Sequence, residues 1–191
     1  MSQEKVQPVR GARYRLSLPS ERAGQRRSVD EHLFVLFPAL YRLVAARLAR
    51  LPPRSRLRGW WLRRLAGRGL AAANRRDFAV LLLGFDPGIE YHAAADQNLD
   101  QPAISHGHQG YEKAWREIMD AFDDFRGQPK EFIDLGDMLL ATVQYSGHGS
   151  GSGVPVEISL FQLFRLRHGL LVWQKDFSNR SEALEAAGLS G

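Results

Sequence analysis

Three histidines, one aspartate and a glycine-rich run are where this sequence could do chemistry. His106 and His108 flank Gly107, and His92 lies a short way upstream. Two histidines one residue apart, with a third nearby, have the makings of a metal site. No carboxylate is fixed beside them in the loop, so hydrogen bonding is favoured, and neither a metal nor a cofactor is expected. Asp176 stands near the end of LLVWQKDF, Leu170–Phe177, which reads as a strand. Alternation puts Val172, Gln174 and Asp176 on one side and Trp173, Lys175 and Phe177 on the other. If buried, such a carboxylate has its charged form desolvated and its pKa raised toward that of a general base. At the surface it would be a cap or a solvated charge. GHGSGSG, residues 147–153, has the glycines of a phosphate loop, but it lacks a lysine and joins two strands rather than opening a helix. His148 within it and His168 in a later turn read as solvated. No cysteine is present, which excludes disulfides and thiolate chemistry.

The elements that must position these residues follow from periodicity. Leu33, Phe37, Leu40, Val44, Leu48 and Leu51 recur at helical steps. Pro38 should kink that helix or start a second, because it lacks an N–H and clashes with the preceding turn. Pro52-Pro53 ends it. Leu57–Asn74 predicts the next helix, with Trp60, Trp61, Leu65 and Leu70 interleaved with Arg58, Arg63, Arg64 and Arg68. Asp77 can cap a short apolar helix. Asp86-Pro87-Gly88 predicts a turn, and Ile89–His92 a half-buried strand. Ala93–Gly107 reads as a polar loop. Tyr111, Trp115, Ile118, Met119 and Phe122 then mark an amphipathic helix. Four strands follow, over Lys130–Leu135, Asp137–Ser146, Val154–Leu166 and Leu170–Phe177, with a last short helix capped by Asn179 and Glu182. Helices first and antiparallel strands after them mean α+β.

Charge divides the chain. Residues 1–76 hold Lys5 and 17 arginines against four carboxylates, a net +14, whereas residues 77–191 carry a net −9. A basic arm on an acidic body suggests units with different jobs; the alternative is that the arm lies against its own body. Basic residues 1–76 could contact a membrane surface or nucleic acid, but a core-facing helix with solvated arginines explains the same residues and is preferred. At 191 residues, 44% of them hydrophobic, the chain can bury one good core. No apolar run is long enough to cross a bilayer and no signal peptide is evident, so a cytoplasmic location is expected.

NRRDFAVLLLGFDPGIEYH, GHQGYEKAWREIMDAF, LFQLFRLRHGLLVWQKDF and SNRSEALEAAGL, in that order, resemble the SnoaL-like branch of the nuclear transport factor 2-like fold over roughly residues 58–189. The resemblance implies a cone: a curved antiparallel sheet wrapped against three helices, with a pocket at its wide end and a homodimer formed through the outer sheet face. With residues 1–28, rich in Arg, Ser, Gln and Gly and short of apolar periodicity, read as a disordered arm, the chain divides into that arm, an accessory helical segment (29–56) and the SnoaL-like domain (57–191). The resemblance also implies that Val172, Gln174 and Asp176 face the cavity, making Asp176 the candidate base, as in the epoxide hydrolases of this fold. Tyr91, Trp115, Gln144, Phe161 and Gln174 are implied ligand contacts, with His108 at the pocket mouth as a hydrogen-bonder or proton carrier. The charged pair that epoxide hydrolysis needs near Thr142–Tyr145 is missing. So are the three groups of the ketosteroid isomerases, whose places fall at Tyr91, Gly69 or Leu70, and Phe161. Cyclase-type chemistry asks only for one carboxylate and polar groups to hold an enolate oxygen, and it survives. The expected function is binding of a small apolar or mixed-polarity molecule, with acid/base catalysis of the cyclase or isomerase type. The alternative is a non-catalytic ligand-binding or dimerisation module.

Overall fold

The structure, a computed structural model, describes residues 14–15, 26–94 and 104–189. The expectation of disorder for residues 1–28 falls mostly outside them. Within it, Tyr14–Arg15 (β1) pairs with a later strand, and Arg27 bonds Asp77 at 2.6 and 2.7 Å, so parts of the arm do lie on the body.

Two helices precede the first long one. α1 (Val29–Leu36) opens at Ser28, whose N–H donates to Glu31 at 2.9 Å. Pro38 opens α2 (Pro38–Ala49), bent from α1 by 108°. α3 (Arg56–Asn74) starts where the Ser55 hydroxyl accepts from the Arg58 N–H. α4 (Phe78–Leu81) is capped by Asp77, which accepts from Val80, and a 3-10 turn over Leu82–Gly84 leads into β2 (Phe85–His92). β3 (Ile104–His106) and α5 (Gly107–Asp120) follow, then β4 (Arg126–Asp134), β5 (Met138–His148), β6 (Pro155–Arg167), β7 (Leu170–Phe177) and α6 (Arg180–Ala186).

The seven strands form one sheet in the order β1-β4-β5-β6-β7-β2-β3, antiparallel except for the parallel pair β2–β7. Its pairing slips at Pro129/Glu131, at Arg165/Leu166 and between Phe85 and Glu90. Such bulges bend strands, and the sheet is curved. The inner face packs on α2, α3, α4 and α5 as one large core that includes Tyr41 and Ala45 of α2. On the outer face α6 covers a second, smaller cluster of Ile133, Leu140, Leu163 and Phe177.

Three expectations need correction. Asp86-Pro87-Gly88 does not precede the strand but lies within it: Pro87 has no N–H for the ladder, Asp86 Oδ1 accepts from Gly88 at 2.9 Å, and pairing with β7 resumes at Glu90. The end of the expected polar loop is a strand, because Ile104–His106 adds to the edge of β2. Arg58 is not solvated. It is 3% exposed and bonds Asp134 at 2.8 and 3.0 Å while donating to the carbonyls of Ala49 and Gly136.

Candidate functional site: a buried carboxylate network beside an apolar cavity

Strand alternation and one helix face build the site. The buried inward set is Leu139, Ala141, Val143 and Tyr145 on β5, Leu160, Gln162 and Phe164 on β6, Gln174 and Asp176 on β7, and Ile89 and Tyr91 on β2. Tyr111 and Trp115, one turn apart on α5, close over them, with Tyr111 5.3 Å from Tyr91 and Trp115 5.6 Å from Tyr145 between ring centres.

Asp176, 1% exposed, accepts three hydrogen bonds. The Tyr91 hydroxyl donates to Oδ2 at 3.0 Å, and Nε2 of Gln174 and of Gln162 donate to Oδ1 at 2.7 and 3.2 Å. Each glutamine in turn accepts from a tyrosine, Gln174 from Tyr111 at 2.9 Å and Gln162 from Tyr145 at 3.2 Å. Every bond in this network points toward the carboxylate. An ionised carboxylate only accepts, so it draws both amide NH₂ groups to itself and leaves their oxygens for the tyrosine protons. Burial pushes the Asp176 carboxyl up to about 6, against the three donors that favour its charge. Burial, with that charge nearby, also holds Tyr91, Tyr111 and Tyr145 well above their ordinary range, so all three keep their protons.

Beside the network lies a cavity of about 100 Å³, walled mostly by apolar side chains such as Leu65, Leu81, Phe85, Val143 and Leu171. Its polar lining comes from Tyr41, Tyr111, Trp115, Tyr145 and Gln162, with Arg68 and Glu131 as the charged contributors. Asp176, Gln174 and Tyr91 stand behind this lining. Tyr111 and Tyr145 have committed their protons to the glutamines, so toward the cavity they offer lone pairs. The indole N–H of Trp115 is buried without a hydrogen-bond partner. The Tyr111 hydroxyl is near enough for that N–H to favour its ionised form, but not in bonding geometry. Tyr111, Tyr145 and Trp115 all line the cavity, so the acceptor oxygens and this donor belong to one wall.

Residues 66–174, more than half of the chain, match the SnoaL-like domain family. The chain belongs to that family. A search among curated proteins finds no match. Among solved structures the SnoaL-like chain is similar to an NTF2-like protein of unknown function from Burkholderia pseudomallei, at a TM-score of 0.55 and 18% identity, covering 64% of this chain and 93% of the other. It is similar to IdmH, a putative polyketide cyclase from Streptomyces antibioticus (0.53, 19%, 65% and 96%). It is also similar to TerC, co-crystallised with polyporic acid (0.54, 19%, 63% and 93%). At these identities the likeness is one of fold.

Of the residues expected in this SnoaL-like cone, Asp176, Gln174 and Tyr91 meet in the network, and Trp115 lines the cavity. Two are corrected. Phe161 packs on the outer cluster under α6, and Gln162 takes the inward place opposite Asp176. Gln144 also points outward and donates to Glu157 across the β5–β6 pair. His108 is half-buried at the start of α5, with Nε2 3.1 Å from the Phe85 carbonyl oxygen, and is not part of the cavity lining. Gln162, Tyr111 and Tyr145 are the contributors that sequence reasoning missed. Among the described residues no group of three His, Cys, Asp or Glu side chains converges on a possible metal position. Nor, among them, is any single helix long and apolar enough to cross a membrane.

Proposed function

We propose that this SnoaL-like protein binds a small, mainly apolar molecule in the cavity, and that the carboxylate network fixes which polar groups that molecule must carry. The unpartnered Trp115 N–H carries the reading. A buried donor without an acceptor is costly, and an apolar hollow with a few converging polar groups is the usual form of a ligand site. The crystallisation of TerC with polyporic acid supports a small-molecule occupant. The complementary ligand donates a hydroxyl or N–H to the oxygens of Tyr111 or Tyr145 and accepts from Trp115 through a carbonyl or ether oxygen. In this reading Asp176 is a positioning residue that polarises the network from behind Gln162.

Proton transfer of the cyclase or isomerase type is the second reading, favoured by the raised Asp176 carboxyl. It requires a substrate carbon to reach Asp176 past Gln162. The outer sheet face left free by α6, around Thr142, Gln144 and Ser159, is where a homodimer would form.

A thermal-shift screen of hydroxylated aromatic ketones and their deoxy analogues tests the ligand reading. Hydroxyketones should stabilise the wild type. Trp115→Phe should weaken their binding by about tenfold or more, the loss of a buried hydrogen bond. Ala141→Phe, which fills the cavity, should abolish it. Equal binding to all three proteins would place the ligand elsewhere and defeat the proposal. Turnover that survives in the wild type but not in Asp176→Asn, with binding intact, would replace positioning by catalysis.

A further inference from the structure

The helices α1 and α2 have an unusual polarity. α2 buries Tyr41 and Ala45, and its opposite face is both apolar and open to water. Leu36 is 72% exposed, Phe37 56%, Leu40 41% and Leu43 57%, with Val44 beside them. These positions follow one another around the bend and along one side of α2, so they form a continuous patch rather than scattered residues.

The charges around the patch are of one sign. From His32 to Arg76 the sequence contains no acidic residue. Several arginines outside the patch are matched with distant carboxylates: buried Arg58 with Asp134, exposed Arg64 and half-buried Arg68 with Asp30, and Arg75 with Glu31. Arg42, Arg47, Arg50, Arg54 and Arg56, on α2, the turn after it and the first residue of α3, are exposed and have no ion pair among the described residues. The protein thus neutralises these arginines and leaves a cationic rim around an aliphatic and aromatic centre.

We infer that the α1–α2 hairpin is a docking surface for an anionic lipid membrane, lying in the plane of the headgroups with Leu36, Phe37, Leu40 and Leu43 dipped among the acyl chains. An exposed apolar face ringed by arginines is the signature of an interfacial helix, and the 108° bend between α1 and α2 keeps the pair from crossing as a single span. The charge is complementary to acidic headgroups, each surface arginine contributing about fivefold to partitioning. A second copy of the chain fits worse, because a two-fold contact through this patch would bring two sets of unpaired arginines together. Residues 1–25 fit worse for the same reason, being themselves basic and polar. Nucleic acid would satisfy the arginines but leave the leucines and Phe37 in water.

Flotation of the full chain with vesicles tests this, using phosphatidylcholine alone and phosphatidylcholine mixed with phosphatidylglycerol. Binding should be strong on the mixed vesicles, weak on the neutral ones, and reduced by salt. Arg42→Gln/Arg47→Gln/Arg50→Gln should lower the partition coefficient by about a hundredfold. Phe37→Glu/Leu40→Glu, at exposed positions that leave the core untouched, should abolish binding while retaining the wild-type melting temperature. Failure to bind the mixed vesicles overturns the inference. So does binding that ignores the Phe37/Leu40 change, which would be charge adsorption alone, or a dimer that the same change splits while vesicle binding persists. Tighter binding to duplex DNA than to the mixed vesicles, lost in the arginine variant, would also overturn it.

Discussion

At Asp176 the position of a single proton is linked to the stability of the whole chain. Its carboxyl lies at about 6 when folded, against 3.8 for the free side chain. Between those values the folded state holds a proton that the unfolded state has lost. This group therefore stabilises most fully below about pH 4, and its contribution falls as pH rises through 6. Between pH 5 and pH 7 the loss should be roughly 1 kcal/mol. Urea unfolding of the wild type and of Asp176→Asn at those two pH values isolates it, since all other titrating groups are shared. A difference that does not change with pH would mean that the carboxyl titrates normally. Alternation along LLVWQKDF ties Asp176 to the side of Gln174, and the SnoaL-like resemblance is what turned that side inward. Its neighbour across the sheet was not legible in the sequence. Counting pairs outward from the two-residue turn at His168-Gly169 sets Phe161 opposite Asp176, but the slip at Arg165/Leu166 moves Gln162 there. Hydrophobicity misleads in the same place: α6 packs on apolar Phe161 and Leu163 on the outer side of β6, while the network puts polar Gln162 on its inner side.

Among the elements, the α1–α2 hairpin is held to the sheet at one crowded point. Gly169, in the β6–β7 turn, has φ +82°, and a Cβ there would lie 2.3 Å from the Ala45 carbonyl carbon of α2. Gly153 has a similar φ of +64° but open space around it. Gly169→Ala should therefore cost roughly 2 to 3 kcal/mol, from backbone strain together with displacement of α2. Gly153→Ala should cost about 1 kcal/mol from backbone strain alone. Equal melting temperatures for the two variants would show that α2 is not seated there. The element pattern itself was largely readable, since helical and two-residue periods are local and Pro38 announces its bend. The strand at Ile104–His106 was not, because three residues carry too little periodicity to declare a strand and only the open edge of β2 recruits them.

For the whole molecule, the tie between Arg58 and Asp134 fixes α3 to the end of β4 and, through the Ala49 carbonyl, to the end of α2. Removing one partner of a buried pair strands the other charge. Arg58→Met should destabilise by about 3 to 5 kcal/mol in chemical denaturation, whereas exposed Arg64→Met should stay within about 0.5 kcal/mol. A small effect at Arg58 would mean that water reaches Asp134. No local pattern marks Arg58 among its neighbouring arginines, because its partner lies 76 positions away. Tyr41 adds one more long-range coupling. Its ring is a buried face of α2 and also part of the cavity wall, with burial raising its hydroxyl to about 12. Any tilt of the hairpin must therefore reshape the hollow, and any guest in the hollow must bias that tilt. By thermodynamic reciprocity the two influences are equal in size, so a surface that grips the hairpin would act as a dial on what the interior accepts.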